Sequence, residues 1–253
     1  MNFNALHQQT RPLLLANAWD VPSAKAVEAS GYQAIGTSSA AIANMLGYAD
    51  GENMSFEELV YIIKRIKAST TLPLSVDFEA GYTRDNDQVV KHFETLVSLG
   101  VVGVNLEDSI VTDGTRTLED ATRFAERLKR IKDHLAAKGL DIFINARIDV
   151  FILKHADGVK EACRRASLYE QAGADGIFVP YIATEADITS VVECTKLPIN
   201  ILANPSLPDI EGLTELGVRR ISMGNKPFDQ MCSTYQAGIA RINTEQSLTS
   251  LFA

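Results

Sequence analysis

The stretch P-L-S-V-D-F-E-A-G-Y, residues 73–82, reads as a β-strand that runs out into a glycine turn, with Asp77 and Glu79 two residues apart at its C-terminal end. Side chains on a strand alternate between faces, so this spacing predicts both carboxylates on one side. Two acids held together at the mouth of an apolar strand repel each other unless a cation lies near them. A hard ion such as Mg2+ suits the position, because it takes oxygen ligands, uses one or two carboxylates and keeps several waters. The plain alternative is an acidic strand end facing solvent.

Seven other runs of the same apolar, β-rich kind flank this one, giving eight in all at 13–19, 34–39, 73–79, 103–108, 142–149, 176–180, 198–203 and 219–224. Longer amphipathic runs lie among them at 56–69, 88–99, 118–138, 159–172, 185–194 and 210–216, and a last one follows at 228–242. Gly31, Gly100, Gly139, Gly173 and Gly217 each follow such a run, where a helix C-terminus favours a positive φ. Ser55 with Glu58 three residues on has the form of a capping box. Alternation of this kind over 253 residues, with no interior linker rich in Pro, Gly or Ser, predicts an α/β fold. The expected architecture is a (β/α)8 TIM barrel forming a single domain over 1–253, with 228–253 a C-terminal helical segment. A doubly wound sheet is the alternative, but G-x-G-x-x-G after the first strand is absent.

Hydrophobic residues make up 46% of the chain and charged residues 22%, as in ordinary soluble globular proteins. The net charge of −8 and the lack of a basic run argue against nucleic acid or an anionic membrane as partner. No apolar stretch reaches membrane-spanning length, and the N-terminus lacks the form of a secretion signal, so the expected location is cytoplasmic. Cys163, Cys194 and Cys232 lie far apart without metal spacing and are expected to be buried free thiols. His7, His92 and His134 read as N-terminal or helical surface residues, whereas His155, just after the fifth run, lies close enough to approach a site.

Barrels carry their chemistry at the C-terminal ends of the strands and on the loops beyond. There the second run ends in Ser38 and Ser39 and is followed by a long connection holding Asp50; the third ends in Asp77 and Glu79, the fourth in Glu107 and Asp108, and the fifth in Asn145, Arg147 and Asp149. Acids on three successive segments with an arginine on the next form a candidate metal and anion site.

Five motifs in this order, I-G-T-S-S-A, Y-A-D-G-E, V-D-F-E-A-G-Y, G-V-N-L-E-D and N-A-R-I-D, resemble the isocitrate lyase/phosphoenolpyruvate mutase superfamily, over residues 13–203. The resemblance implies a (β/α)8 barrel that acts on small 2-oxo acids or phosphonates through Mg2+, with Mn2+ as a substitute. It also implies a homo-oligomer, dimer or tetramer, with exchange of a C-terminal helix. Carried over, Asp77 touches the metal, and Glu79, Glu107 and Asp50 hold its waters. Ser38 and Ser39 offer hydroxyl and backbone N–H groups to the substrate carboxylate, Asn145 lies beside them, and Arg147 pairs with a carboxylate or phosphonate. Arg147, Ser38 and Glu107 are the expected catalytic residues. Where many members place an aromatic residue, this chain has Gly36, and Trp19 is expected either to fill that space against the substrate or to cover the barrel rim.

Departures narrow the reaction. The superfamily's isocitrate and methylisocitrate lyases carry K-[KR]-C-G-H after the fourth strand, its cysteine serving as acid/base. Here residues 109–117 read S-I-V-T-D-G-T-R-T, without Cys, His or Lys. Arg116 is either a gating or charge-pairing group or, more plainly, a solvated loop arginine. Pro180 stands where relatives carry a polar residue, and Tyr181 is a weak substitute. The expected function is Mg2+-dependent cleavage of a C–C bond in a small 2-oxo (di)carboxylate through a metal-stabilised enolate, such as oxaloacetate decarboxylation, with water or Tyr82 returning the proton. The alternatives are carbon–phosphorus chemistry, as in a phosphoenolpyruvate or carboxyphosphonoenolpyruvate phosphonomutase or a phosphonopyruvate hydrolase, and a non-catalytic dicarboxylate-binding barrel.

Overall fold

Parallel strands buried on both faces read as near-continuous apolar runs, and the computed structural model, which describes residues 3–252, turns all eight such runs into strands of one closed sheet. The chain passes through β1 (Leu13–Ala18), β2 (Ile35–Thr37), β3 (Leu74–Asp77) and β4 (Val101–Glu107). It then leaves the sheet for an antiparallel hairpin of β5 (Ser109–Thr112) and β6 (Thr115–Leu118). It returns through β7 (Phe143–Arg147), β8 (Gly176–Val179), β9 (Ile199–Leu202) and β10 (Arg220–Ser222), and β10 pairs with β1 to close the barrel. The doubly wound alternative is excluded by this closure.

The helices begin and end where local chemistry dictates. α1 (Phe3–Leu6) precedes the barrel, and α2 (Val21–Ala29) starts at a reciprocal Asp20–Ser23 cap. α3 (Ser39–Leu46) is capped by the Ser38 hydroxyl, which accepts from Ala41 N–H. α4 (Phe56–Lys67) opens on the expected Ser55–Glu58 capping box. Four helices follow in step with the strands: α5 (Asn86–Ser98), α6 (Ala121–Ala137), α7 (Gly158–Gln171) and α8 (Glu185–Glu193). α9 (Ile210–Glu215) follows β9, and α10 (Lys226–Glu245) follows β10 and stands largely exposed, with Phe228 its one buried residue. All five glycines at helix ends take positive φ, between 65° and 94°. The stretch after β2, expected as an irregular connection, contains α3, and this matters because it presents a helix N-terminus to the barrel mouth.

The barrel interior is polar toward its base. Arg220 on β10 reaches across to Ser75 Oγ on β3 (3.4 Å) and Asn105 Oδ1 on β4 (3.3 Å), and Asn145 Nδ2 donates to the same Asn105 oxygen (2.9 Å). Burial lowers the Arg220 pKa to about 9, with Asp77 acting in the opposite direction. α1 lies against this base: the His7 ring stacks on Phe143 at 4.2 Å, and Phe3 meets Phe143 edge-on.

Two surface readings are corrected. His7 is buried, and burial together with Arg220 lowers its pKa to about 3; His92 is buried because α5 turns it onto Phe56 of α4 in a 3.8 Å stack. The cysteines are free thiols as expected but not fully buried: Cys163 and Cys194 are half-buried against the core between α7 and the end of α8, and Cys232 on α10 is exposed. No helix among the described residues is long and apolar enough to cross a membrane.

α4 shows why these helices hold to the barrel. Leu59, Ile62, Ile63 and Ile66 form its buried stripe, whereas Tyr61 is 63% exposed. Ile63→Ala, at a fully buried position, is expected to cost about 2–5 kcal/mol by chemical denaturation, and Tyr61→Ala less than about 0.5 kcal/mol. Equal losses at the two positions would contradict this packing.

Candidate active site

At the C-terminal mouth of the barrel lies a cavity of about 210 Å³ whose walls include Ser38, Ser39, Asp50, Asp77, Asn105, Arg116 and Arg147. Larger grooves lie on the outer surface, between α4 and α5 and beside α9, but they lack this concentration of opposed charges. The strand ends and the N-terminus of α3 converge here, so the cavity is where the fold gathers its chemistry.

Asp77 ends β3 and faces the cavity. Its Oδ2 accepts from Ser39 Oγ at 2.7 Å, and Asn105 Nδ2 lies 3.5 Å from Oδ1. Glu79 arrives differently from the alternation argument. β3 stops at Asp77, and Glu79 has φ +46°, so period two no longer governs where it points. Its carboxylate is fixed behind the cavity wall by the Glu52 N–H (2.8 Å) and the Tyr82 hydroxyl (2.6 Å). Tyr82 is thereby committed to Glu79 and does not line the cavity, which corrects its reading as a proton donor. Asp50, about half exposed, stands across the mouth 3.6 Å from Arg116.

Two guanidiniums hold the other acids. Arg147 Nε donates to Asp149 Oδ1 at 2.6 Å, and its Nη1 lies 2.9 Å from Glu107 Oε2. The Arg147 guanidinium also sits over the Phe178 ring, 5.9 Å from its centroid. Arg116 contacts the second Glu107 oxygen through Nη1, which also reaches Ser109 Oγ (2.7 Å) and Asp149 Oδ2 (3.1 Å). This corrects the reading of Arg116 as a solvated loop residue, because the hairpin folds its side chain inward to 17% exposure. The signal was present in Asp113-Gly114, the dipeptide of a two-residue hairpin turn, and both residues take positive φ. Asp108, grouped with Glu107 by sequence, faces away: Arg165 and the Tyr169 hydroxyl bind its Oδ2 at 2.9 and 2.7 Å, and its Oδ1 holds the Asp149 N–H.

Two expected substrate residues lie elsewhere. Trp19 is buried and packs edge-on against Phe228 of α10, and the space beside Gly36 is taken by Leu15 and Asn17, so Trp19 does not line the cavity. Asn145 lies below the cavity floor and supports Asn105. Asn17 and Asn105, unremarked in the sequence, do line it; Asn17 Oδ1 accepts the N–H groups of Met223 and Gly224 and so ties β1 to the end of β10. His155 is exposed and outside the cavity wall. Tyr181 stands at the mouth, 56% exposed, with φ +63°.

The acids outnumber their partners. Asp50, Asp77, Glu79, Glu107 and Asp149 meet Arg116 and Arg147, with Arg220 beneath, so full ionisation leaves two excess negative charges. The excess appears in their titration. Burial, then Asp50 and Glu107, raises the Glu79 pKa to about 8, and burial followed by Asp77 raises Asp50. Burial also lifts Glu107 against the opposing pull of Arg147 and Arg116. No three Asp, Glu, His or Cys side chains among the described residues converge on one point. The carboxylates that line the cavity, Asp77 and Asp50, are oxygen donors of the kind a hard divalent ion takes alongside water.

The raised Glu79 pKa has a stability consequence. The native state keeps this proton up to about pH 8, whereas an ordinary glutamate loses it near 4.5, so without added metal the Glu79 contribution to stability falls as pH rises between those values. Glu79→Gln is expected to flatten that fall, as read from denaturation midpoints between pH 5 and 8.5 in EDTA. Identical pH profiles for the two proteins would refute the assignment.

Comparison with known proteins places this geometry. The family model "Phosphoenolpyruvate phosphomutase" matches residues 3–243. A Burkholderia cenocepacia J2315 crystal structure described as a candidate phosphonomutase superposes with a TM-score of 0.88 at 35% identity, covering 94% of this chain and 97% of that one. An uncharacterized protein of Mycobacterium tuberculosis is 34% identical over 90% of this chain and 83% of its own length. The phosphoenolpyruvate phosphomutase of Tetrahymena pyriformis is 30% identical over 90% of this chain and 78% of its own length. At 28% identity stand the 2-methylisocitrate lyase of Escherichia coli (80% and 68% covered) and an oxaloacetate decarboxylase of Paraburkholderia xenovorans (85% and 72% covered). At the level of fold alone, a phosphonopyruvate hydrolase solved with oxalate and Mg2+ aligns at TM-score 0.85 and 22% identity, over 98% and 87% of the two chains. The relatives with a named activity are enzymes, lyases and a phosphomutase among them, and the chain belongs to the phosphoenolpyruvate phosphomutase family.

Proposed function

We propose that this enzyme cleaves the C–C bond of a small 2-oxo diacid, with decarboxylation of oxaloacetate as the reaction the site supports best, and that it depends on Mg2+ or Mn2+. One observation carries the reading. The cavity joins an acid cluster short of cations to an arginine and a helix N-terminus, yet no Cys, His or Lys lines it. A reaction that begins by removing a proton needs a poised base. Loss of CO2 needs none, because the electrons of the breaking bond pass to the keto oxygen.

The residues divide the work accordingly. Ser38, Ser39 and Ala40 at the start of α3 face the cavity; the Ser39 N–H and Oγ both donate to Asp77 and the Ala41 N–H to Ser38 Oγ, which leaves the Ala40 N–H to meet a substrate carboxylate. Asp77, held by Ser39 Oγ, is the residue placed to ligate the metal, and Glu107, Glu79 and Asp50 are placed to hold its waters. When bound, the divalent ion supplies positive charge where the keto oxygen turns anionic. Arg147, braced by Asp149 and Glu107, orients the second carboxylate. Ile152, Phe178, Pro180 and Leu202 add an apolar wall, which favours a carboxylate becoming neutral CO2. Water entering at the open mouth returns the proton to C3.

The relatives support both this reading and a second one. An oxaloacetate decarboxylase stands among them, and so does the 35%-identical structure described as a candidate phosphonomutase, which favours carbon–phosphorus chemistry, with Arg147 holding the phosphonate. The test is turnover of oxaloacetate, phosphonopyruvate, phosphoenolpyruvate and 2-methylisocitrate with Mg2+ and then with EDTA, repeated on Asp77→Ala. Oxaloacetate turnover is expected, with EDTA or the substitution lowering kcat by about 10²–10³-fold. Mg2+-dependent turnover of a phosphonate alone would move the assignment to the second reading. No turnover, with Mg2+-dependent thermal stabilisation by oxalate, would leave a binding barrel.

We also propose a homo-oligomer. Met231, Tyr235 and Ile239, four residues apart on α10, are 47%, 72% and 46% exposed and form an apolar stripe. Light scattering is expected to give a dimer or larger assembly, and Tyr235→Glu to weaken it; a monomer at micromolar concentration would exclude this.

A further inference from the structure

The β5–β6 hairpin carries one side chain into the site, and that side chain already holds what a metal's water shell would need. Arg116 Nη1 contacts Glu107 Oε1 and Asp149 Oδ2, and Nη2 faces Asp50 at 3.6 Å. The other oxygen of Glu107 faces Arg147. Glu107 and Asp50 thus have a resident counter-cation. A divalent ion held through the same two acids would stand beside Arg116 and repel it.

The two arginines are anchored differently. Arg147 springs from a barrel strand, and its Nε and Nη2 grip Asp149 as a fork. Arg116 springs from a two-stranded ribbon joined by the Asp113-Gly114 turn, and a long, unbranched side chain there can swing without moving the barrel. Arg116 and Arg147 are also the two cationic side chains on the cavity wall. An anionic group entering beside Arg147 lies within the sweep of Arg116.

We propose that Arg116 exchanges partners: it serves as the counter-cation of Glu107 and Asp50, and it passes to the second anionic group of the substrate when the divalent ion enters. The proposal rests on the metal reading above and deepens it. It makes the site selective for doubly anionic substrates, because only these give the displaced guanidinium a new partner. It also makes metal and substrate bind synergistically, since each relieves a cost the other imposes.

Mn2+ binding read by electron paramagnetic resonance, alone and with malate or lactate, tests this without turnover. The two ligands share the chelating 2-hydroxy acid end and differ in the second carboxylate. In the native protein, malate is expected to tighten Mn2+ about tenfold more than lactate does. In Arg116→Gln, Mn2+ alone is expected to bind several-fold tighter, and the advantage of malate over lactate to fall to the share that Arg147 alone supplies. Arg116→Lys, which keeps the charge but loses the fork, is expected to fall between them and serves as the readout if the glutamine variant fails to fold. Unchanged Mn2+ affinity, or an unchanged malate advantage, in the variant that folds overturns the partner exchange. Asp77→Ala separates the two failures. Mn2+ bound in an Asp77-dependent way but indifferent to Arg116 removes this inference alone, whereas no Asp77-dependent binding under any condition removes the metal reading with it.

Discussion

Glu107 and Asp149 are buried carboxylates, and the guanidiniums of Arg147 and Arg116 are what permit them to lie side by side. Desolvating an ion costs several kcal/mol, and a neighbour of like charge adds to the cost. The mouth of the barrel is therefore arranged around charge compensation. β4 delivers Glu107, β7 delivers Arg147, the loop beyond β7 brings Asp149, and a hairpin inserted after β4 delivers Arg116. Removing either arginine would leave two buried carboxylates sharing one guanidinium, so the network constrains the ends of two adjacent strands and the hairpin together.

Behind this layer stands a second one that touches no part of the cavity. Asp108 turns outward to Arg165 and Tyr169 of α7, and its other oxygen holds the backbone N–H of Asp149. Packing of α7 on the sheet is in this way connected to the orientation of Arg147, through Asp149. Below, Arg220 places a buried positive charge under Asp77, acting through Asn105. Asp77 thus has support from beneath while the cavity side of its carboxylate faces the open mouth.

Legibility followed the range of the interaction. The eight strands were readable because a buried parallel strand must be apolar along its length, and the start of α4 because its capping box is settled within four residues, whereas α3 went unread. Asp77, Asp50, Glu107, Arg147, Ser38 and Ser39 were found together because strand order in a barrel brings consecutive strand ends to one face. The reading that put Trp19 against the substrate failed for a different reason. Whether a large side chain fills the space beside a glycine depends on which neighbours arrive first, and Leu15 and Asn17 do. Trp19 instead found Phe228, more than two hundred residues away in the chain.

By itself the sequence determined the alternating βα order and the inventory of charges at the strand ends, because these follow from local periodicity and from the residue types present; closure came with the pairing of β10 on β1. Tertiary structure alone decided the partners. It turned Glu79 off the strand onto Tyr82 and Glu52, gave Asp108 to α7, set Asn145 beneath the floor and drew Arg116 in from the hairpin. A carboxylate's role depends on which cation, dipole or water lies within about 4 Å of it. Such distances are fixed only when strands, hairpin and helices have all packed.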